Sequence, residues 1–293
     1  MLSMGSIMIP RANASAERIL EVLHTRTDIE DPAQEAALPD AWRGEVVFDD
    51  VSFRYPGAED DVLQDINFTA RPGQMTAIIG GTGSGKSTLL NLIPRMYDVT
   101  GGRVLIDGVD IRQMNLHRLR ALIGYVPQQG VLFSGSIASN IKYGDETMSD
   151  ADMERAAAIA QAQGFIGEKE GGYLSEVSRG GSNVSGGQRQ RLSIARAIAG
   201  KPKVLLFDDS FSALDYRTDL MLRQALRREM GDTTVLIVAQ RIATVMKADK
   251  IIVLEQGRIV GEGRHEELLR TCDSYREIAQ SQLSAEELKG GVA

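Results

Sequence analysis

The stretch "MTAIIGGTGSGKSTLLNLIPRMY" constrains this chain more than any other. An apolar run, "MTAII", leads into a Gly-rich turn, and "STLLNLIPRMY" continues from it with helical character. Gly80-x4-Gly85-Lys86-Ser87 matches G-x-x-x-x-G-K-[ST] in full, in the strand–loop–helix setting that the motif requires. Its glycines let the backbone curl so that successive N–H groups point at phosphate oxygens, and the helix N-terminus adds a favourable potential for an anion. The predicted nucleotide cradle is the whole of Gly80, Gly81, Thr82, Gly83, Ser84, Gly85, Lys86, Ser87 and Thr88. Within it, Lys86 is expected to reach the β- and γ-phosphates and Ser87 to offer its hydroxyl to Mg²⁺.

Short apolar runs recur between helical stretches: "MTAIIG", "RVLID", "LIGYV", "KVLLFD", "TTVLIVA" and "KIIVLE". Their length and their turn boundaries predict buried strands of a largely parallel sheet in an α/β fold. Before them, Val46, Phe48, Val51 and Phe53 alternate as a half-buried strand does, and "INFTA" predicts the next one. Ser139–Gly200 holds no such run; its Ala- and charge-rich segments predict a helical insertion. The last helical stretch fades into a Gly-rich tail.

"VLLFDDSFSALD" supplies the second half of a nucleotide site. Four apolar residues bury a strand and set Asp208 at its C-terminal edge, where α/β sheets bind ligands. Asp208 is predicted to hold Mg²⁺ through its hydration shell, as a Walker B aspartate does.

The remaining composition narrows the function classes. A net charge of −7 over 293 residues does not favour nucleic acid as a partner. Cys272 is the single cysteine, so no intrachain disulfide forms and a reducing cytoplasm is expected. His117 and His265 are expected at helix starts or on solvated faces, and no histidine or cysteine stands at metal-ligand spacing. Trp42 is expected to anchor packing beside the first strand. The opening "MLSMGSIMIP" is too short to span a bilayer and lacks a charged leader region. After Pro10, Ala12, Ala16, Ile19, Leu20 and Leu23 predict an amphipathic helix, followed by an acidic linker with Pro32 and Pro39.

Between the two nucleotide motifs lies "VSGGQRQRLSIARAIAG", and "SGGQ" followed by a basic helix resembles the signature motif of ABC-transporter nucleotide-binding domains. Ser185, Gly186, Gly187 and Gln188 place a hydroxyl and close backbone N–H groups at a helix start, a second anion site. The resemblance covers about Gly44 to Gln280. It implies a P-loop (RecA-like) core with a largely parallel sheet, an N-terminal antiparallel β subdomain and an inserted α-helical signature subdomain at about 130–200. It also implies ATP and Mg²⁺ as ligands, an ATP-closed dimer, and a signature that caps the γ-phosphate held by the opposite subunit.

Further residues match in order. Tyr55 in "FRYPG" resembles the adenine-stacking aromatic, and Gln128 in "YVPQQGVLF" the glutamine that touches Mg²⁺ and the attacking water. "SEVSRGG" resembles an exporter x-loop with Glu176 at its glutamate, although Ser178 and Arg179 depart from the pattern. Ser212–Asp215 resembles the D-loop. The lead-in resembles exporters in which the nucleotide-binding domain follows a transmembrane domain on one chain, at the cytoplasmic face of the membrane. On that reading residues 1–43 are the end of a membrane helix, an amphipathic helix and a linker; 44–280 are the ATP-binding domain; 281–293 are a tail.

Two departures occur together. The family's catalytic Glu is Asp209 here, and its switch His is Gln240, set in "LIVAQRIATVMKAD". Losing a methylene withdraws the carboxylate by roughly 1–1.5 Å, and misplacement by about 1 Å lowers rates on the order of 10²-fold. Gln240 donates a hydrogen bond but exchanges no proton near neutral pH. With the signature intact, this pattern resembles the degenerate-site half of a heterodimeric exporter, whose non-identical partner carries the catalytic Glu and His. Two other readings stay open: a regulatory ATP-binding subunit that never hydrolyses, and a soluble ABC-type ATPase.

Overall fold

The computed structural model describes residues 2–24 and 27–283, with side chains from Met8 onward. The chain divides into two compact units, Met1–Glu30 and Asp31–Ala293. The first is essentially one helix, α1 (Leu2–His24). The sequence predicted a helix beginning only after Pro10, yet Pro10 lies inside α1. Proline removes one intrahelical hydrogen bond, which is best tolerated where water can satisfy the freed carbonyl, and the side chains of α1 from Met8 to His24 are exposed. Among the described residues no helix is long and apolar enough to cross a membrane.

The second unit is built on two sheets. The main sheet runs β12-β11-β3-β10-β9-β6, made of β3 (Met75–Ile79), β6 (Ile123–Val126), β9 (Val204–Asp208), β10 (Thr234–Val238), β11 (Lys250–Glu255) and β12 (Arg258–Gly263). All neighbouring pairs are parallel except β12 on β11. Every residue of β3, β9 and β10 is buried, as strands covered on both faces must be. Alternate residues serve opposite cores: Leu205, Phe207, Val235 and Ile237 face one, Val204, Leu206, Leu236 and Val238 the other.

The second core is closed by a smaller antiparallel sheet, β2-β1-β4-β5, from β1 (Val46–Phe53), β2 (Leu63–Ala70), β4 (Gly101–Ile106) and β5 (Val109–Asp110). Here the structure corrects one prediction. "RVLID" is not a strand of the parallel sheet: β4 pairs antiparallel with β1, Val46 opposite Ile106. Only Val104 and Ile106 of that run are buried, so its apolar character reflects one covered face. Phe48 stacks on Phe68 with centroids 4.6 Å apart, and Trp42 packs against this core as expected.

The first core is closed by the predicted helical insertion: α4 (Ile137–Ile141), α5 (Asp150–Ile159), α6 (Gln163–Gly167) and α7 (Gly186–Ala199). It contains one feature not foreseen, a two-residue strand β8 (Glu176–Val177) paired with β7 (Gly135–Ser136). The other helices are α2 (Lys86–Leu92), α3 (Leu116–Ala121), α8 (Tyr216–Glu229), α9 (Ile242–Val245), α10 (His265–Thr271) and α11 (Asp273–Gln282). The acidic linker is seated on α3: Asp31 accepts from Leu116 N–H at 2.7 Å, and Glu35 pairs with Arg118 at 3.0 Å. Of the predicted tail, residues 284–293 lie outside the described residues.

Candidate functional site

The phosphate loop leaves the C-terminal end of β3 and enters α2. Gly83 and Gly85 hold φ of 80° and 98°, left-handed values that glycine adopts without strain. Gly80 is required for a different reason: a Cβ there would stand 2.0 Å from the Leu254 carbonyl of β11. Lys86, only 8% exposed, lies along the loop and donates to the carbonyls of Gly80 at 3.0 Å and Gly81 at 2.6 Å. Burial lowers its pKa, opposed by the charges of Asp209 and Asp208.

The loop meets the end of β9 across the intervening strand β10. Ser87 Oγ donates to Asp208 Oδ1 at 2.8 Å. Burial raises the pKa of Asp208, against the hydrogen bonds from Ser87 and Tyr125 and the charge of Lys86. Asp209 follows with φ of 46°, in the left-handed region. Gln128 Nε2 donates to Asp209 Oδ2 at 3.3 Å. Burial also raises the Asp209 pKa, with Asp208 adding to the effect and hydrogen bonds from Gln128 and the Gln240 backbone opposing it. Thr82, Gly83, Gly85, Lys86, Ser87, Thr88, Gln128, Asp208, Asp209 and Gln240 share one cleft of ≈ 450 Å³. Gly80, Gly81 and Ser84 line the adjoining depression under β11.

Tyr55 borders the cleft through Thr88, its hydroxyl 2.9 Å from Thr88 Oγ1. Its ring stands edge-on to Phe53 and Tyr97, centroids 4.9 and 5.2 Å away, so its orientation is fixed by packing. The signature residues are not in the cleft. Ser185 caps α7 in a capping box, accepting from Gln188 N–H at 3.2 Å while Gln188 Oε1 accepts from Ser185 N–H at 3.1 Å. Gly187 lies beside the Ala213 carbonyl, and Asp215 caps α8 through Thr218. His117 and His265 both stand in the first turns of short helices, and His265 Nδ1 lies 2.7 Å from the Tyr275 hydroxyl.

Two residues of this region were not singled out in the sequence. Tyr125 on β6 donates to Asn91 Oδ1 at 3.1 Å and also contacts Asp208; burial pushes its pKa up to about 12. A hydroxyl inside the apolar run "LIGYV" was the available signal. Gln190 on α7 is 2% exposed; it accepts from Gly130 N–H at 2.9 Å and donates to the Pro127 carbonyl at 3.2 Å, holding both flanks of Gln128.

This arrangement, a lysine-bearing phosphate loop facing a strand-end aspartate with a serine-capped helix apart from both, defines a nucleotide-binding domain. Residues 63–212, just over half of the chain, match the family model described as ABC transporter. The chain belongs to the ABC transporter family, as an ATP-binding domain of the exporter type. It is 48% identical over 295 residues to an ABC transporter ATP-binding protein of Mycobacterium tuberculosis, covering 100% of this chain and 50% of that protein. It is 43% identical over 272 residues to the ATP-dependent lipid A-core flippase of Xanthomonas oryzae pv. oryzae, covering 92% of this chain and 46% of the flippase. A solved bacterial Atm1-family ABC exporter with ATP bound superposes with a TM-score of 0.87 at 36% identity, over 97% of this chain and 50% of that one. The chain spans about half the length of the curated relatives it matches.

Proposed function

We propose that this chain binds Mg·ATP in the cleft between the phosphate loop and Asp208 and hydrolyses it slowly there, within an exporter at the cytoplasmic face of a membrane. Residues 44–280 are the ATP-binding domain, and 1–43 lead from a transmembrane domain of the same chain. The Gly80–Thr88 loop would cradle the phosphates, Lys86 would leave the loop carbonyls for phosphate oxygens, and Tyr55 would stack on adenine. Ser87 and Asp208 offer two hard oxygen donors 2.8 Å apart, suited to Mg²⁺. The metal, when bound, supplies charge neutralisation at the β- and γ-phosphate oxygens.

The observation that carries the slow-site reading is the Asp209 environment. Its short carboxylate is tied to Gln128 at 3.3 Å, and the neighbouring switch position offers the amide of Gln240 where a titratable imidazole would exchange a proton. Asp209 and Gln128 would still orient water toward the γ-phosphorus, but from one methylene further back. Ser185, Gly186, Gly187 and Gln188, away from this cleft, would serve the nucleotide held by a non-identical partner that carries the catalytic Glu and His.

Measuring both ATP affinity and phosphate release on one preparation tests this. Tight binding with slow release supports the reading; hydrolysis as fast as in a domain with Glu and His overturns it. Labelled-nucleotide trapping separates slow hydrolysis, which leaves ADP at this chain's site, from a purely regulatory site, which leaves only ATP.

A further inference from the structure

Helix α9 begins two residues after Gln240 and has no cap of its own, since the side chain at its N-cap, Arg241, makes no capping hydrogen bond. The first N–H groups of a helix have no intrahelical acceptor. One acceptor arrives from the end of α11: Ile242 N–H donates to Gln282 Oε1 at 2.8 Å. The other end of the same amide turns to the switch, Gln282 Nε2 donating to the Gln240 carbonyl at 2.8 Å. Arg241 between them is extended, with φ −102° and ψ 129°. One side-chain amide therefore pairs with this backbone much as a neighbouring strand would.

The clamped segment is held from its other side as well. Ala239 N–H donates to the Ile78 carbonyl at 3.1 Å. The clamp itself is firmly based, because α11 is anchored by Tyr275 and Ala279, both fully buried. Gln282 is exposed and lies outside the cleft, so it touches no reacting atom.

We infer that Gln282 is a positioning residue for the switch: its amide fixes the peptide planes on either side of Arg241, and through them the direction of the Gln240 side chain. The inference rests on the reading of Gln240 and Asp209 as the residues that face the γ-phosphate and the attacking water. It makes the last turn of α11 a point through which displacement of the C-terminal helix alters chemistry in the cleft.

Amide exchange and single-turnover ADP formation, measured on the same variants of this chain, test it. Gln282→Ala is expected to speed exchange at Ile242 roughly fivefold, the equilibrium effect of one lost hydrogen bond, with overall melting lowered by only about 2–4 °C. It is also expected to slow ADP formation roughly tenfold through misplacement of the switch. Gln282→Glu keeps the acceptor for Ile242 and sets a charge against the Gln240 carbonyl, so exchange stays slow while ADP formation falls. In a Gln240→Ala background, Gln282→Ala is expected to add nothing. Unchanged Ile242 exchange in Gln282→Ala overturns the inference, as do additive effects in the double variant or full activity in Gln282→Glu. If exchange responds as expected but Gln240→Ala is silent in turnover, the positioning role is overturned and the fault lies in the reading of Gln240, not in the clamp.

Discussion

Ser87 and Asp208, 121 positions apart in the chain, are joined by a 2.8 Å hydrogen bond across the end of β10. The bond sets a hydroxyl from the first turn of α2 beside a carboxylate at the end of β9. Asp208 is nevertheless 7% exposed, and its pKa is raised above 3.8 chiefly by burial.

A raised carboxylate pKa means that the fold favours the protonated group. The associated stability is present below pH 3.8 and lost as pH rises through the folded-state value. Asp208→Asn is therefore expected to melt higher than the parent at pH 7 without nucleotide, and the gap should close toward pH 4. The same variant should lose the Mg²⁺ dependence of ATP binding. Thermal melts across pH, with and without Mg·ATP, read both effects.

Lengthening the carboxylate should restore rate before it changes affinity. Asp209→Glu is expected to raise phosphate release by roughly 10–100-fold, with Gln240→His adding to it, and to leave the ATP dissociation constant within about twofold. Steady-state phosphate release, beside equilibrium binding, checks the separation. A matching gain in affinity would point to uniform binding rather than transition-state geometry.

Tyr55 divides into a ring and a hydroxyl. Tyr55→Ala should weaken ATP binding by about 1–3 kcal/mol, the worth of one base–aromatic stack. Tyr55→Phe keeps the ring between Phe53 and Tyr97 and loses only the contact with Thr88. Its effect should appear as about 0.5–1.5 kcal/mol of stability, with affinity nearly intact. Calorimetry with ATP and chemical denaturation without it distinguish the two.

The glycines of the loop are unequal. A Cβ at Gly80 would meet the Leu254 carbonyl at 2.0 Å, whereas one at Gly81 meets nothing within 4 Å. Gly80→Ala is expected to destabilise the nucleotide-free chain by about 1–3 kcal/mol, as overpacking does. Gly81→Ala should stay within about 0.5 kcal/mol, as substitutions free of a steric conflict do. Denaturant midpoints of the pair supply the comparison.

What could be foreseen followed the range of the interactions. The phosphate loop is local, so Gly80–Thr88 and its flanking strand and helix were legible in nine residues and their neighbours. The α/β class followed from β3, β9 and β10, whose continuous apolar runs have no meaning outside a sheet covered on both faces. Strand partners were not legible. β4 looked like its parallel counterparts because its three consecutive apolar letters, Val104–Ile106, read the same whether one face is covered or both. β12 escaped because its exposed, alternating "RIVGEG" shows little apolar signal without β11 beside it. Tyr125, a hydroxyl in an apolar run, and Gln190, set between Arg189 and Arg191, were missed for a related reason: such a polar group declares its purpose only when its distant partner is known.

The order β3-β10-β9 has one further consequence. The phosphate loop, the segment carrying Gln240 and the strand end carrying Asp208 spring from three adjacent parallel strands, so the gaps between them come in fixed increments of strand spacing, about 4.8 Å each. A sheet buried on both faces works as a ruler and cannot be stretched by fractions of a step. Any finer adjustment of reach in this cleft must then be written in side-chain length, which at position 209 is that of an aspartate.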